Sequence, residues 1–380
     1  MQKVTRSAFF KQMATVAVGG GLMTQGEAWA KRKARGGDWS FNHVGVSFTN
    51  LKKTVEYFRS TGMGVRMPWG LGPPPSETPQ ETPKETPKAR GPQNITLTNG
   101  IPDPPQETSN MQSSFIRNVP CIQVGTLQIE AGGIARKGSG RPEFEKEGVS
   151  HICFNVPDIQ GESAALVDKG VEVTWALIGA NSLLRENYLD IREIGNIILS
   201  FRPEAGAGSQ RWLEAIMANP LVSDWKFRSM GIPVRDLDRA VDYYQTFEIG
   251  AFKPEAMFDT ESMADVKMYG KSSGAALKAR TQKMAPVGQL AFEFIQPLEG
   301  DAMYKEYLDR RGDEAGVSEF AFTVRDLEKE TAKLVEKGVQ VILSGKPEAG
   351  GAFACFDTRE HGGDIVIKLT QAEIQEAYPE

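Results

Sequence analysis

One short sequence occurs twice in this chain with matching surroundings, and that repetition limits the possible folds more than any other feature. "GVSHICFNVPDI", Gly148 to Ile159, aligns without a gap on "GVSEFAFTVRDL", Gly316 to Leu327. "ALVDKGVEV" from Ala165 then aligns on "KLVEKGVQV" from Lys333 at the same spacing, and "DIREIG" from Asp190 and "DTREHG" from Asp357 close both copies. A looser pair opens each half, "FNHVGVSFTNLKKTVEYF" from Phe41 and "FRSMGIPVRDLDRAVDYY" from Phe227. A chain built from repeated supersecondary units must pair or stack them, because one unit cannot bury its own apolar face. Here there are four units, two in each half.

Every unit follows one local plan. A short strand rich in β-branched and aromatic residues ends at a polar capping residue, and a helix with apolar residues at helical spacing follows. Leu51, Val55 and Phe58 form that stripe in the first unit; Leu237, Ala240, Val241 and Tyr244 form it in the third, after Asp236 as N-cap. Further strands come after each helix: "GTLQIEAG", "GNIILSF", "GQLAFEFIQP" and "GDIVIKL". Strand, helix and about three strands, four times over, is an α+β chain.

The strand openings, together with "FEFIQPLEG" and the ends "KGVEV" and "KGVQV", resemble the vicinal oxygen chelate superfamily. That superfamily includes glyoxalase I, methylmalonyl-CoA epimerase, bleomycin resistance proteins and extradiol dioxygenases. The resemblance implies four βαβββ modules paired into two half-open eight-stranded β cups with flanking helices and a ligand inside the cup. Residues 40–203 would make the first such domain, 204–224 a linker with one short helix, and 225–372 the second domain. A stretch from Leu71 to Asn110 holds ten of the 22 prolines, including the tandem "ETPQETPKETPK". It cannot bury enough apolar surface to fold alone and is expected to be an extended or disordered insert between the second and third strands of the first module, a tolerated surface insert or else a lid or partner-binding strap.

The N-terminus stands apart. Lys3, Arg6 and Lys11 precede the apolar stretch "MATVAVGGGLM" and then Ala28-Trp29-Ala30, which fits an export signal over residues 1–30 with cleavage after a small-x-small site. "TRSAFFK" resembles a twin-arginine motif with Ser7 in place of the second arginine. The mature chain is therefore expected in the periplasm, with no membrane association after cleavage, as a monomer or homodimer. A net charge of -5 without a basic face gives no reason to expect nucleic acid as a partner, and leaves a small-molecule substrate. Cys121, Cys153 and Cys355 are too few and too widely spaced for a CxxC metal site and read as buried apolar residues.

Three histidines occur in the chain, and two of them, His43 and His151, fall at matching places in the opening strands of the first two units. In "TLQIEAGG" period-two alternation puts Glu130 and Gln128 on one face. Two imidazoles and one carboxylate with positions left open suit a divalent Fe, Mn, Co, Ni or Zn ion that also accepts substrate oxygens. The resemblance implies the same three residues as ligands. Its fourth position, a glutamate in relatives that use it as ligand or base, falls on Leu199 or Ser200, which argues against proton-shuttling isomerase chemistry. His361, in "REHGGD", reads as a solvated loop residue.

In the second half the corresponding positions are read as Met230, Glu293, Glu319 and either Ile367 or Lys368, with no imidazole left. Buried carboxylates without a cation are costly, so Glu293, Glu319 and Lys368 are expected to form an ion-paired group in a degenerate second cup. No Walker A loop or GxGxxG motif occurs; "YGKSSG" from Tyr269 lacks the upstream glycine. The expectation is a metal-dependent enzyme, a glyoxalase-like lyase or isomerase or a dioxygenase, acting on a small oxygen-chelating substrate in the N-terminal cup. No catalytic base can be named. The competing reading is a bleomycin-resistance-type protein that sequesters a small molecule without turnover.

Overall fold

In the computed structural model, residues 34–67, 121–135, 137, 144–178, 184–204, 225–272, 276–300, 303–312 and 315–372 are described. The expected export signal, the insert at 71–110 and all but the first residue of the linker lie outside them.

The first half forms one eight-stranded sheet: β1 (Ser40–Phe48), β2 (Val65–Met67), β3 (Cys121–Val124), β4 (Leu127–Gly133), β5 (Gly148–Val156), β6 (Glu172–Ile178), β7 (Leu184–Ile191) and β8 (Ile197–Pro203). The spatial order is β2-β3-β4-β1-β5-β8-β7-β6, with β1 and β5 antiparallel at the centre. Each module therefore contributes four neighbouring strands, and its closing strand runs parallel to its opening one: β4 to β1 and β8 to β5. The second half repeats this with β9 (Lys226–Pro233), β14 (Lys278–Val287), β15 (Leu290–Glu299), β16 (Glu319–Val324), β17 (Val341–Lys346), β18 (Phe353–Phe356) and β19 (Val366–Gln371). Short strands β10 (Ala251–Phe252), β11 (Ala256–Asp259), β12 (Ala264–Met268) and β13 (Lys271–Ser272) are added to it.

The repeated sequences produce repeated local structures. Helices α1 (Leu51–Ser60), α2 (Ile159–Val167), α3 (Leu237–Gln245) and α5 (Leu327–Glu336) start at Asn50, Asp158, Asp236 and Asp326. Each cap side chain accepts from the backbone N–H three residues on, at 2.9 to 3.1 Å, an interaction worth about 1 kcal/mol per helix. The twin "DIREIG" and "DTREHG" segments build one bracket twice: Arg192 grips Asp190, and Arg359 grips Asp357, through guanidinium and backbone together. The first two residues of "YGKSSG", Tyr269 and Gly270, are the turn of the β12–β13 hairpin, both at positive φ, the conformation of a two-residue primed turn.

Strict alternation sorts the two faces of each sheet. Val44, Val46, Ile129, Ile152, Phe154, Leu199 and Phe201 turn outward and share one apolar core with Met230, Ile232, Phe292, Phe294, Phe320 and Leu369 of the second half. Ring contacts cross between the halves, Phe41 to Phe227 at 5.4 Å and Phe154 to Phe292 at 6.5 Å. The polar residues of the same strands are left facing into the two cups.

The second cup is filled. Helix α4 (Met303–Arg310), which the repeats do not announce, brings Met303 and Tyr304 onto an apolar cluster with Leu277, Ile295, Leu343 and Phe353. The space remaining beside Tyr304 is about 10 Å³, room for one water at most. Below this plug Lys368 Nζ lies 3.6 Å from Glu319 Oε1, and the Tyr304 hydroxyl donates to Glu319 Oε2 at 2.7 Å. Burial raises the pKa of Glu319; burial opposes the Lys368 charge too, but Glu319 and Glu293 outweigh it and raise the lysine's pKa. Glu293 pairs with Lys283 at 3.7 Å on the same concave face.

Register corrects one position. Gly231 faces Glu319 as Gly45 faces His151, so the counterpart of His43 is Ser229, opposite Ala321, and not Met230. Met230 is fully buried in the shared core on the other face. The offset is one residue, and in a strand one residue changes the face.

Candidate metal centre

The central strands carry the site because they bring residues more than a hundred positions apart into register. Gly45 pairs with His151 across β1 and β5 and with Glu130 across β1 and β4. His43 Nε2 lies 3.1 Å from His151 Nε2 and 3.0 Å from Glu130 Oε2, and His151 Nε2 lies 3.8 Å from the same carboxylate oxygen. Three donor atoms from three strands thus converge on one point, with both imidazoles fully buried.

A polar network sets the tautomer of His43. Asn42 Nδ2 donates to Asn155 Oδ1 at 2.7 Å, which turns Asn42 Oδ1 towards His43 Nδ1, also at 2.7 Å. Nδ1 therefore carries the proton, and Nε2 presents its lone pair to Glu130. A lone pair opposite a carboxylate oxygen at 3.0 Å is repulsive unless a cation lies between them, so the donor set fits a divalent ion. Burial, and after it the Arg202 charge, lowers the His43 pKa to about 3 against the opposing pull of Glu186, which keeps the ring in its metal-binding form.

That depression has a measurable consequence. As pH falls below about 6.5 the unfolded chain protonates His43 while the native protein does not, so stability is lost down to about pH 3, by up to about 1.4 kcal/mol per pH unit. Urea unfolding of chelator-treated protein across this range should show that slope, and His43→Asn should lack it. Equal slopes would contradict the assignment of a neutral, buried His43.

The next inward residues complete the wall. His43 pairs with Cys153, Cys153 with Ser200, Ser200 with Tyr188, and Tyr188 with Trp175, in one row across the sheet. Of the two alternatives at the fourth family position, Ser200 faces inward and Leu199 belongs to the core; in the second half Lys368 faces inward and Ile367 does not. Gln128 shares the concave face with Glu130 and pairs with Gln123.

Sequence reasoning missed Glu186, Tyr188 and Arg202. Glu186 is buried, accepts from Ser200 Oγ at 3.0 Å and from Arg202 Nη2 at 2.8 Å, and lies with Cys153 in a second donor group around His43. With both carboxylate oxygens engaged, and with burial raising the Cys153 thiol to about 12, that group is a support for His43 and not a second ligand set. Burial works against the Arg202 charge, but Glu186, Cys153 and Glu130 raise its pKa in spite of it. The alternation of "LRENYLDI" already puts Glu186, Tyr188 and Asp190 on one face; what it lacked was a repeat partner marking which face is inward. All three cysteines are buried and free, as expected. His361 is half-buried against Tyr57, ring centroids 5.1 Å apart, beside an open cleft of about 820 Å³ that none of the cluster residues line. It is therefore more enclosed than a solvated loop residue.

The model of the glyoxalase/bleomycin resistance protein/dioxygenase superfamily matches residues 229–356. Over that stretch the chain is similar to this superfamily. The match falls within the second half, whose strand order the first half shares. Over both halves the fold is similar to a mutant of 4-hydroxymandelate synthase from Streptomyces coelicolor, with TM-score 0.51 and 10% identity, covering 87% of this chain and 92% of that one. Methylmalonyl-CoA epimerase from Mycobacterium tuberculosis aligns over 40% of this chain and 91% of its own at 19% identity, with TM-score 0.28. At such identities the likeness speaks to fold alone. No curated protein matches the chain in sequence.

Proposed function

We propose that the first cup holds a divalent metal ion on His43, Glu130 and His151 and acts on a small substrate that chelates through two oxygens. The observation that carries this is the convergence of three donor atoms from three strands within 3.8 Å, with the His43 lone pair turned towards the other two. A two-histidine, one-carboxylate set is the donor pattern of non-haem iron oxygenases. Bound there, the metal supplies Lewis acidity and open positions for oxygen ligands. Ser200 and not a carboxylate stands at the fourth position, and Glu186 is committed to Ser200 and Arg202; this supports oxygenase-type chemistry over a proton-shuttling isomerase.

The chain's own residues do the rest: Asn42 and Ser150 orient the two imidazoles, at 2.7 and 3.1 Å from their Nδ1 atoms. Phe144, Trp175 and Ile198 exclude water around Tyr188. The leader-like segment before Lys31 supports a further part of this reading, that the protein works after export.

Metal analysis of protein purified without an affinity tag is the test. One equivalent of metal, with iron preferred, and its loss in His43→Ala and in His151→Ala are expected. Wild-type protein that carries no metal and takes up none of Fe(II), Mn(II), Co(II), Ni(II) or Zn(II) rejects the proposal and leaves the sequestering protein.

A further inference from the structure

We propose that Tyr188 is the residue that holds a substrate oxygen at the metal position of the first cup, an inference that rests on the metal reading above. Tyr188 lies on β7 directly across from Ser200, in the inward-facing row that contains His43. Its hydroxyl is 3.2 Å from Nε2 and 3.4 Å from Nδ1 of His151. Nε2 is the nitrogen that also faces His43 and Glu130, so the phenol oxygen stands beside the point where the three donors meet.

The ring has little freedom. It packs against His151 at 4.7 Å between centroids, Trp175 at 4.9 Å and Phe144 at 6.3 Å, and the residue is 5% exposed. A hydroxyl fixed in a water-poor wall is set to donate to an oxygen ligated next to His151 Nε2, and such a donor costs no reorganisation when the ligand arrives. The competing inward groups are committed elsewhere: Ser200 donates to Glu186, and Glu186 also accepts from Arg202. The surrounding rings favour a substrate whose remaining body is apolar or planar.

The duplication supplies an internal comparison. The residue across from Lys368, as Tyr188 is across from Ser200, is Cys355. The cup that lost its histidines therefore has no phenol at this place. Its buried hydroxyl, Tyr304, comes from α4 and satisfies Glu319 instead.

The test uses cobalt(II)-loaded protein with oxalate as the bidentate oxygen probe, reading cobalt content and the visible cobalt spectrum. Tyr188→Phe should keep one equivalent of cobalt and lose about tenfold in oxalate affinity, the effect of removing one hydrogen bond to a charged oxygen. Unchanged oxalate affinity overturns the proposal. So does loss of cobalt with the hydroxyl, which would make Tyr188 a metal donor or a prop for His151. Wild type that takes up no cobalt defeats the metal reading itself, and this inference with it. Should the variant not fold, zinc-loaded wild type carries the test: oxalate must perturb the tyrosine near-UV band. Tyr188 is the inward tyrosine of this cup, Tyr57 being on α1 at the cleft, and an unperturbed band overturns the proposal.

Discussion

Gly45→Ala is expected to weaken metal binding by on the order of 100-fold although it removes no donor, the upper range for losing the support of a ligand. Gly45 lies across from His151, and the imidazole lies over it: a Cβ there would overlap His151 Cε1 and Nδ1 and stand 2.7 Å from Ser150 Oγ. The φ of Gly45 is not among the positive ones, so alanine suits the backbone and the effect is one of space alone. The ring must leave its place, and its Nε2 with it. Gly231→Ala, whose Cβ would meet Glu319 Cβ at 2.9 Å in the other cup, is the control; it should cost stability and leave metal binding intact. Cobalt titration of both variants, with circular dichroism to establish folding, decides it: a folded G45A protein that binds cobalt like wild type refutes the account of the site.

Lys368→Met is expected to destabilise the protein by about 3–5 kcal/mol, the usual cost of stranding a buried charge. Glu319 is 1% exposed, and its Oε1 has Lys368 at 3.6 Å as its ion-pair partner while lacking a hydrogen bond of its own. Tyr304 satisfies only the other oxygen. Replacing both charges, Glu319→Leu with Lys368→Met, should recover most of the loss, because two apolar side chains leave no charge to solvate. Chemical denaturation of the two single variants and the double one gives the coupling directly. A loss under about 1 kcal/mol in Lys368→Met would show that the pair does not hold the second cup together.

These two variants separate the first cup from the filled second one, and the difference between them was partly visible in the repeat. His151 and Glu319 occupy one position of the duplicated strand, and each faces a glycine of the neighbouring opening strand, Gly45 or Gly231. The glycine persists in both halves because a side chain lies over it in both. The imidazole does not persist, since the second cup has a carboxylate at that position and supplies Lys368 as its counter-charge. The plug that makes this cup unavailable was invisible: "AMYKEYLDR" has a helical pattern, but nothing in that pattern says that Met303 and Tyr304 enter the mouth of a sheet closed by strands before and after it.

The sequence by itself determined the fourfold unit, the α+β class, the helix start at Asp236, and the candidacy of His43, Glu130 and His151. All of these follow from interactions within about ten residues of chain, or from a repeat that reports position directly. Tertiary structure alone decided that Ser200 and Lys368 face inward and that Glu186, Arg202 and Tyr188 complete the wall. Those outcomes depend on cross-strand register, where neighbours are distant in sequence and a slip of one residue sends a side chain to the opposite face.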